Sequence, residues 1–153
     1  MGDDEAVTAF RKFEIFGAFD DEQLKLLAFV SEERALGRGE TLYEAGEKAD
    51  GAYVLVTGTL EGFDGGAQST DERAVYPIIP PALIGEMGLM LTRPRATTIR
   101  ARSSARLLFI PREPFLKLLR NDPELAESVS AILREELARY LERIAQVAPK
   151  FTE

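Results

Sequence analysis

Glycines at positions 37, 39, 46, 51, 58, 62, 65 and 66 cut the middle of the chain into short pieces, and apolar residues alternate between them. A helix needs apolar residues at steps of three and four over about ten or more positions, whereas alternation with a period of two is the mark of half-buried strands. The clearest strands are 52–57, 73–78, 97–102 and 105–110. Short strands at close spacing with tight turns predict an antiparallel roll or barrel. The polar piece DGGAQSTDE, 64–72, reads as a hairpin loop. Pro77, Pro80 and Pro81 mark an edge strand or a turn, because proline cannot donate to a central ladder.

Helices flank this β region. The sequence FDDEQL offers a capping box, with Asp20 as N-cap, Gln23 three residues on, and Phe19 placed to staple against Leu24. A helix over 21–30 follows. Pro111 and Pro114 end the last strand and open a short helix through Phe115, Leu118 and Leu119. Asn121-Asp122-Pro123 then starts a final helix over 123–147, where the missing N–H of Pro123 costs nothing. Leu133, Leu137, Tyr140, Ile144 and Val147 step along it by four, three, four and three, which is a heptad seam for packing on the domain or on a second copy.

A chain of 153 residues fits one domain with one core: an N-terminal helical part over 5–30, a β-roll over 31–110 and C-terminal helices over 112–148. The formal net charge of −7 argues against sequence-independent nucleic-acid binding. The absence of cysteine removes thiolate chemistry and fits a reducing compartment, so cytoplasm is the expected location. The absence of histidine removes the commonest general base and metal ligand, so we expect neither an enzyme nor a metal cofactor. No apolar run approaches the ~18 to 20 residues of a membrane span.

Against this acidic background, the window from Met87 to Arg112 holds six arginines and no acidic residue, with Glu86 at its mouth. Gly85 allows close backbone approach to a ligand, and Gly88 keeps side chains out of the same space. A helical turn over 87–91 would point free N–H groups at an anion, and Arg95 would close over it with a two-pronged contact. Pro94 stiffens the turn from which Arg95 starts. A carboxylate beside a phosphate pocket repels it unless it accepts from a hydroxyl of the same ligand, and a ribose fits. On the following strand Ala96 would line the pocket while Thr97 and Ile99 turn to the core.

These residues, GEMGLMLTRPRATTIRA, resemble the phosphate-binding cassette of cyclic-nucleotide-binding domains, as found in the regulatory subunits of cyclic-AMP-dependent protein kinase, in the catabolite activator protein and in gated channels. The stretch RGETLYEAGEKADGAYVLVTGTLEGF is similar to the family's first strands, and the helices after Pro111 fall where the family has its last two. The resemblance covers about 13–147 and implies a mainly β, jelly-roll-like β-roll (a double-stranded β-helix) with flanking helices.

It further implies that Glu86 accepts from the ribose 2′-hydroxyl and that Arg95 pairs with the cyclic phosphate. Gly85, Met87, Gly88 and Ala96 would add backbone contacts, with Thr97 the adjoining candidate. Tyr140 or Leu141 of the last helix would cover the base. Ala96 lacks the threonine hydroxyl of cyclic-GMP-selective kinases, so cyclic AMP is the expected ligand and cyclic GMP the lesser one. Two positions depart from the family: Pro81 replaces a glycine in the entry turn, and Thr97 replaces a common alanine, bringing a hydroxyl that must find a partner.

Each feature has a plainer alternative. Glu86 also suits the first turn of a helix, and Arg95 a solvated surface. Arg100, Arg102 and Arg106 alternate on strands as an exposed face, and Tyr140 also suits the seam. Three functions follow: a cyclic-nucleotide sensor that moves its C-terminal helices; a degenerate domain that binds no nucleotide and serves protein interaction or dimerisation; and a cupin-like enzyme, which lacks the histidines its metal would need. Beyond the last helix the given sequence has only APKFTE, with no helix-turn-helix, membrane span or kinase segment; a whole chain would act through an effector protein and a piece of a longer one through an output domain elsewhere, with a homodimer through the last helix also in view.

Overall fold

The computed structural model describes residues 2–64 and 75–147, with the side chains of all of these except 64, 75, 140 and 143–147. Within them the order is α1 (Asp3–Phe10), a 3₁₀ turn (Glu14–Phe16), α2 (Asp21–Val30), β1 (Glu32–Leu36), β2 (Thr41–Tyr43), β3 (Gly51–Thr57) and β4 (Leu60–Asp64). There follow β5 (Val75–Ile78), β6 (Ala82–Ile84), a second 3₁₀ turn (Glu86–Leu89), β7 (Thr97–Ala101), β8 (Ala105–Pro111), α3 (Arg112–Arg120) and α4 (Pro123–Val147). Two four-stranded sheets result, ordered β1-β8-β3-β6 and β2-β7-β4-β5, with every pairing antiparallel. This is the expected mainly β roll with flanking helices. The expected 64–72 loop falls mostly outside the described residues, although β4 and β5 pair on either side of it. Pro77 sits on β5, at the edge of its sheet, where a missing donor is tolerated. The Pro80–Pro81 peptide bond is cis.

The central strands are buried on both faces, which explains their near-continuous apolar runs. On β3 and β8, Ala52, Val54, Leu108 and Ile110 face the helices, where they join Phe10, Ile15, Phe16, Leu24, Leu27, Phe115, Leu125 and Val129 in one core. Their alternates Leu55 and Leu107 turn into the roll, to Tyr43, Leu60, Ile84, Ile99, Ala101 and Ala105. Phe16, Phe19 and Phe115 bind the first core together, with Phe19 stacked on Phe115 at 5.8 Å and Phe16 edge-on to it at 6.4 Å.

Local chemistry places the helices. Asp20 accepts from the Gln23 N–H at 2.8 Å and the Gln23 side chain accepts from the Asp20 N–H at 2.9 Å, completing the capping box. Gln23 also donates to Asp122 at 2.9 Å, and the other oxygen of Asp122 accepts from the Leu125 N–H at 3.1 Å, which caps α4. One side chain thus ties the starts of α2 and α4 together. The first half of α4 is anchored by Leu125, Val129 and Leu133, at 2%, 0% and 6% exposure; Leu137, next on the heptad, is 45% exposed and has left the core.

Phe115 is fully buried and ring-packed on two sides, so its truncation cannot be absorbed by neighbours. Phe115→Ala should cost about 4 kcal/mol, read as a lower midpoint in urea unfolding. A loss below about 1 kcal/mol would contradict this packing.

Candidate functional site

The cassette is built around one buried cation. Arg95 is 8% exposed, so the solvated-surface alternative fails. Its Nη2 donates to the Gly51 carbonyl at 2.9 Å, with the Asp50 carboxylate 3.8 Å away. The guanidinium lies over the ring of Tyr43, 4.4 Å from its centroid, and 5.8 Å from that of Tyr53. Its Nη1 reaches the cassette itself: side chains at either Gly85 or Gly88 would run into that nitrogen. Gly85 also has φ 68°, left-handed backbone that suits glycine, and it starts the 3₁₀ turn. A Cβ on Gly88 would strike the carbonyl of Gly51, the group that holds Arg95.

The expected helical turn over 87–91 is corrected to Glu86–Leu89, a 3₁₀ turn starting one residue earlier because Gly85 takes the left-handed capping position. Met87 packs against the helical core and Leu89 is fully buried, which pins the turn from beneath.

The loop from 44 to 50 folds over the strand entry: Gly46 N–H donates to Arg95 O at 2.8 Å, Arg95 N–H to Glu47 O at 2.7 Å, and Ala49 N–H to Arg93 O at 3.1 Å. This cover changes the expected strand faces. Ile99 is buried as anticipated, but Thr98 is also buried, at 1%, because its hydroxyl accepts from the Ala45 N–H at 3.0 Å. Thr97 is only half-buried. Ala96 is exposed beside Arg95.

Glu86 is half-buried and does not stand alone. It lines a cavity of about 290 Å³ with Phe13, Glu14, Pro81 and Glu136 of α4. Burial first, then a hydrogen bond and repulsion from the Glu136 carboxyl, push Glu86 up to about 8, with Arg139 opposing and Glu14 adding to the rise. The ribose candidate therefore faces the last helix. On that helix Leu141 is 53% exposed, and the Tyr140 side chain lies outside the described residues.

Reading the sequence missed three participants. Arg112 N–H donates to Asp50 O at 2.9 Å, and its Nη1 lies 2.7 Å from Ala49 O, 3.2 Å from Gly88 O and 3.3 Å from Leu91 O, so it clamps the loop to the cassette. Its signal was its place at the end of the acid-free window. Tyr43 and Glu136 lie far along the chain from the cassette and gave no local sign. Arg102 and Arg106, by contrast, are exposed and lie 3.8 Å from Glu61 and 3.7 Å from Glu33, weak surface pairs that suit their plainer reading. Arg100 lies over Phe63 at 4.7 Å.

Among curated proteins, the chain is 31% identical over 137 residues to an uncharacterized NTE family protein of Mycobacterium bovis, covering 90% of this chain and 22% of that protein. It is 28% identical over 105 residues to a cAMP-dependent protein kinase regulatory subunit of Eremothecium gossypii, covering 69% of this chain and again 22% of the relative. The chain thus spans under a quarter of the length of these relatives. Among solved structures, the N-terminal domain of a transcriptional regulator from Streptomyces coelicolor superposes with a TM-score of 0.75 at 28% identity, covering 89% of this chain and 94% of that one. Residues 33–122 match the description "cyclic nucleotide-binding domain". That match takes in more than half of the chain, including Glu86, Arg95 and the glycines around them, and the chain belongs to the cyclic nucleotide-binding domain family.

Proposed function

We propose that this chain is a cyclic-nucleotide sensor that binds cyclic AMP in preference to cyclic GMP and signals by moving α4. The observation that carries the reading is the buried Arg95 guanidinium, held along one edge by Gly51 and Asp50 while Nη1 reaches Gly85 and Gly88. A fixed cation bordered by glycine backbone suits a cyclic phosphate, which needs charge-assisted donors and close approach. Gly85, Met87, Gly88, Ala96 and Thr97 border sugar and phosphate in this reading, Glu86 takes the ribose 2′-hydroxyl, and Tyr140 or Leu141 covers the base. The preference for cyclic AMP rests on Ala96, and the relative named as a cAMP-dependent protein kinase regulatory subunit supports it.

Glu86 supplies the link to α4. A ribose hydroxyl donates a hydrogen bond and favours the carboxylate, whereas the apposed Glu136 favours the protonated acid. Ligand would draw Glu86 away from the helix and shift the population of α4 positions, by no more than its difference in affinity for them. Output then passes to an effector protein. The acceptor chemistry is that of a binding domain rather than an enzyme, in the cytoplasm, where a chain without cysteine suits the reducing conditions. Among the described residues no helix is long and apolar enough to cross a membrane.

A second reading, an interaction or dimerisation module without nucleotide, is favoured by Leu137 and Leu141, exposed at 45% and 53% and four residues apart on α4. Calorimetric titration with cyclic AMP and cyclic GMP separates the two. Saturation near one nucleotide per chain supports the sensor, and no heat with either, together with a dimer by light scattering, supports the module.

Two outcomes are expected. Arg95→Ala should weaken cyclic AMP binding by about 2 kcal/mol or more, roughly 30-fold, and wild-type affinity in that variant would refute the phosphate assignment. The second concerns pH without ligand. Glu86 is raised from 4.5 to about 8, so the folded chain holds its proton more tightly than the unfolded chain. Its contribution to stability is complete below about 4.5 and is lost as pH rises through about 8. The urea midpoint should fall across this window, and Glu86→Gln, uncharged throughout, should flatten the fall. A midpoint that falls equally in the variant would assign the effect elsewhere.

A further inference from the structure

Arg95 depends on an aromatic support that the cassette motif does not contain. Tyr43 is the last residue of β2, on the far side of the covering loop from Arg95 in sequence, and it is 7% exposed. Its ring lies beneath the guanidinium at 4.4 Å and packs against Tyr53 at 6.0 Å, which in turn packs against Phe109 at 5.0 Å. The phenol oxygen lies 3.7 Å from the place a side chain on Gly85 would occupy. Burial raises its pKa above the ordinary phenol value, with the Arg95 charge opposing, so it is a neutral ring at physiological pH.

A guanidinium held over a ring face gains a cation–π contact that favours one seat for it. Here Nη2 is taken by Gly51, with Asp50 beside it, while Nη1 lies toward Gly85 and Gly88. We infer that Tyr43 is a positioning residue for the cyclic phosphate, acting through Arg95: its buried ring, packed on Tyr53, seats the guanidinium. This rests on the cyclic-nucleotide reading above.

The test compares wild type, Tyr43→Phe and Tyr43→Leu by calorimetric titration with cyclic AMP, each also in the Arg95→Ala background, with melting temperatures of the free proteins alongside. Tyr43→Leu should weaken binding about 10-fold, the scale of a desolvated cation–π contact, while Tyr43→Phe, which keeps the ring, stays within about 3-fold. In the Arg95→Ala background, Tyr43→Leu should add nothing, because the cation it acts through is gone. Wild-type affinity in Tyr43→Leu overturns the proposal and leaves the sensor reading standing. So does an equal loss in the Arg95→Ala background, which would mark a general loosening of the roll. Absence of binding by the wild-type protein overturns the sensor reading and this proposal together.

Discussion

The burial of one guanidinium organises the site. Arg95 joins three segments that are distant in sequence: β2 through the Tyr43 ring, the start of β3 through the Gly51 carbonyl, and the cassette through its own backbone and the glycines it touches. Its N–H and C=O are bonded to Glu47 and Gly46 as well, so main chain and side chain hold the same loop. A buried charge is tolerated only with such partners, and the carbonyl, the carboxylate of Asp50 and the ring supply them. Arg112 repeats the arrangement from the other side, drawing the carbonyls of Ala49, Gly88 and Leu91 toward one nitrogen.

The helices are attached to this arrangement by apolar packing. Leu89, in the 3₁₀ turn, belongs to the same core as Phe10, Phe16 and Phe115, so the cassette and the helical layer share one set of contacts. The turn, α3 and α4 are thus parts of one close-packed cluster. The first half of α4 is buried through Leu133, whereas Leu137 and Leu141 beyond it are exposed. Glu86 faces this helix at Glu136, which puts the carboxylate of the cassette at the boundary between site and helix.

Features that depend on neighbours in the chain were legible from the residues. The capping box of Asp20 and Gln23 formed as read, because an N-cap and its third residue lie within one turn of helix. The bounds of α2 and α4, the edge position of Pro77 and the glycines of the cassette followed from the same local rules. What was misread depended on long-range cover. Alternation sent Thr97 to the core, yet Thr97 is half-buried and Thr98 is the buried threonine, because the loop from 44 to 50 brings the Ala45 N–H to its hydroxyl. The heptad left packing on the domain or on a second copy open; Leu133 packs on the domain and Leu137 is exposed.

The sequence by itself determined that the chain builds a β-roll between helices and carries a glutamate, two glycines and an arginine in the spacing of a phosphate cassette. Periodicity, caps and turn residues act over a few positions, and the order of the chain preserves them. Only the tertiary structure decided what those groups touch. Tyr43 lies under Arg95 and Glu136 opposite Glu86 because the sheets close and α4 packs back across the roll, and such contacts join residues about 50 apart in the chain whose pairing no local period encodes.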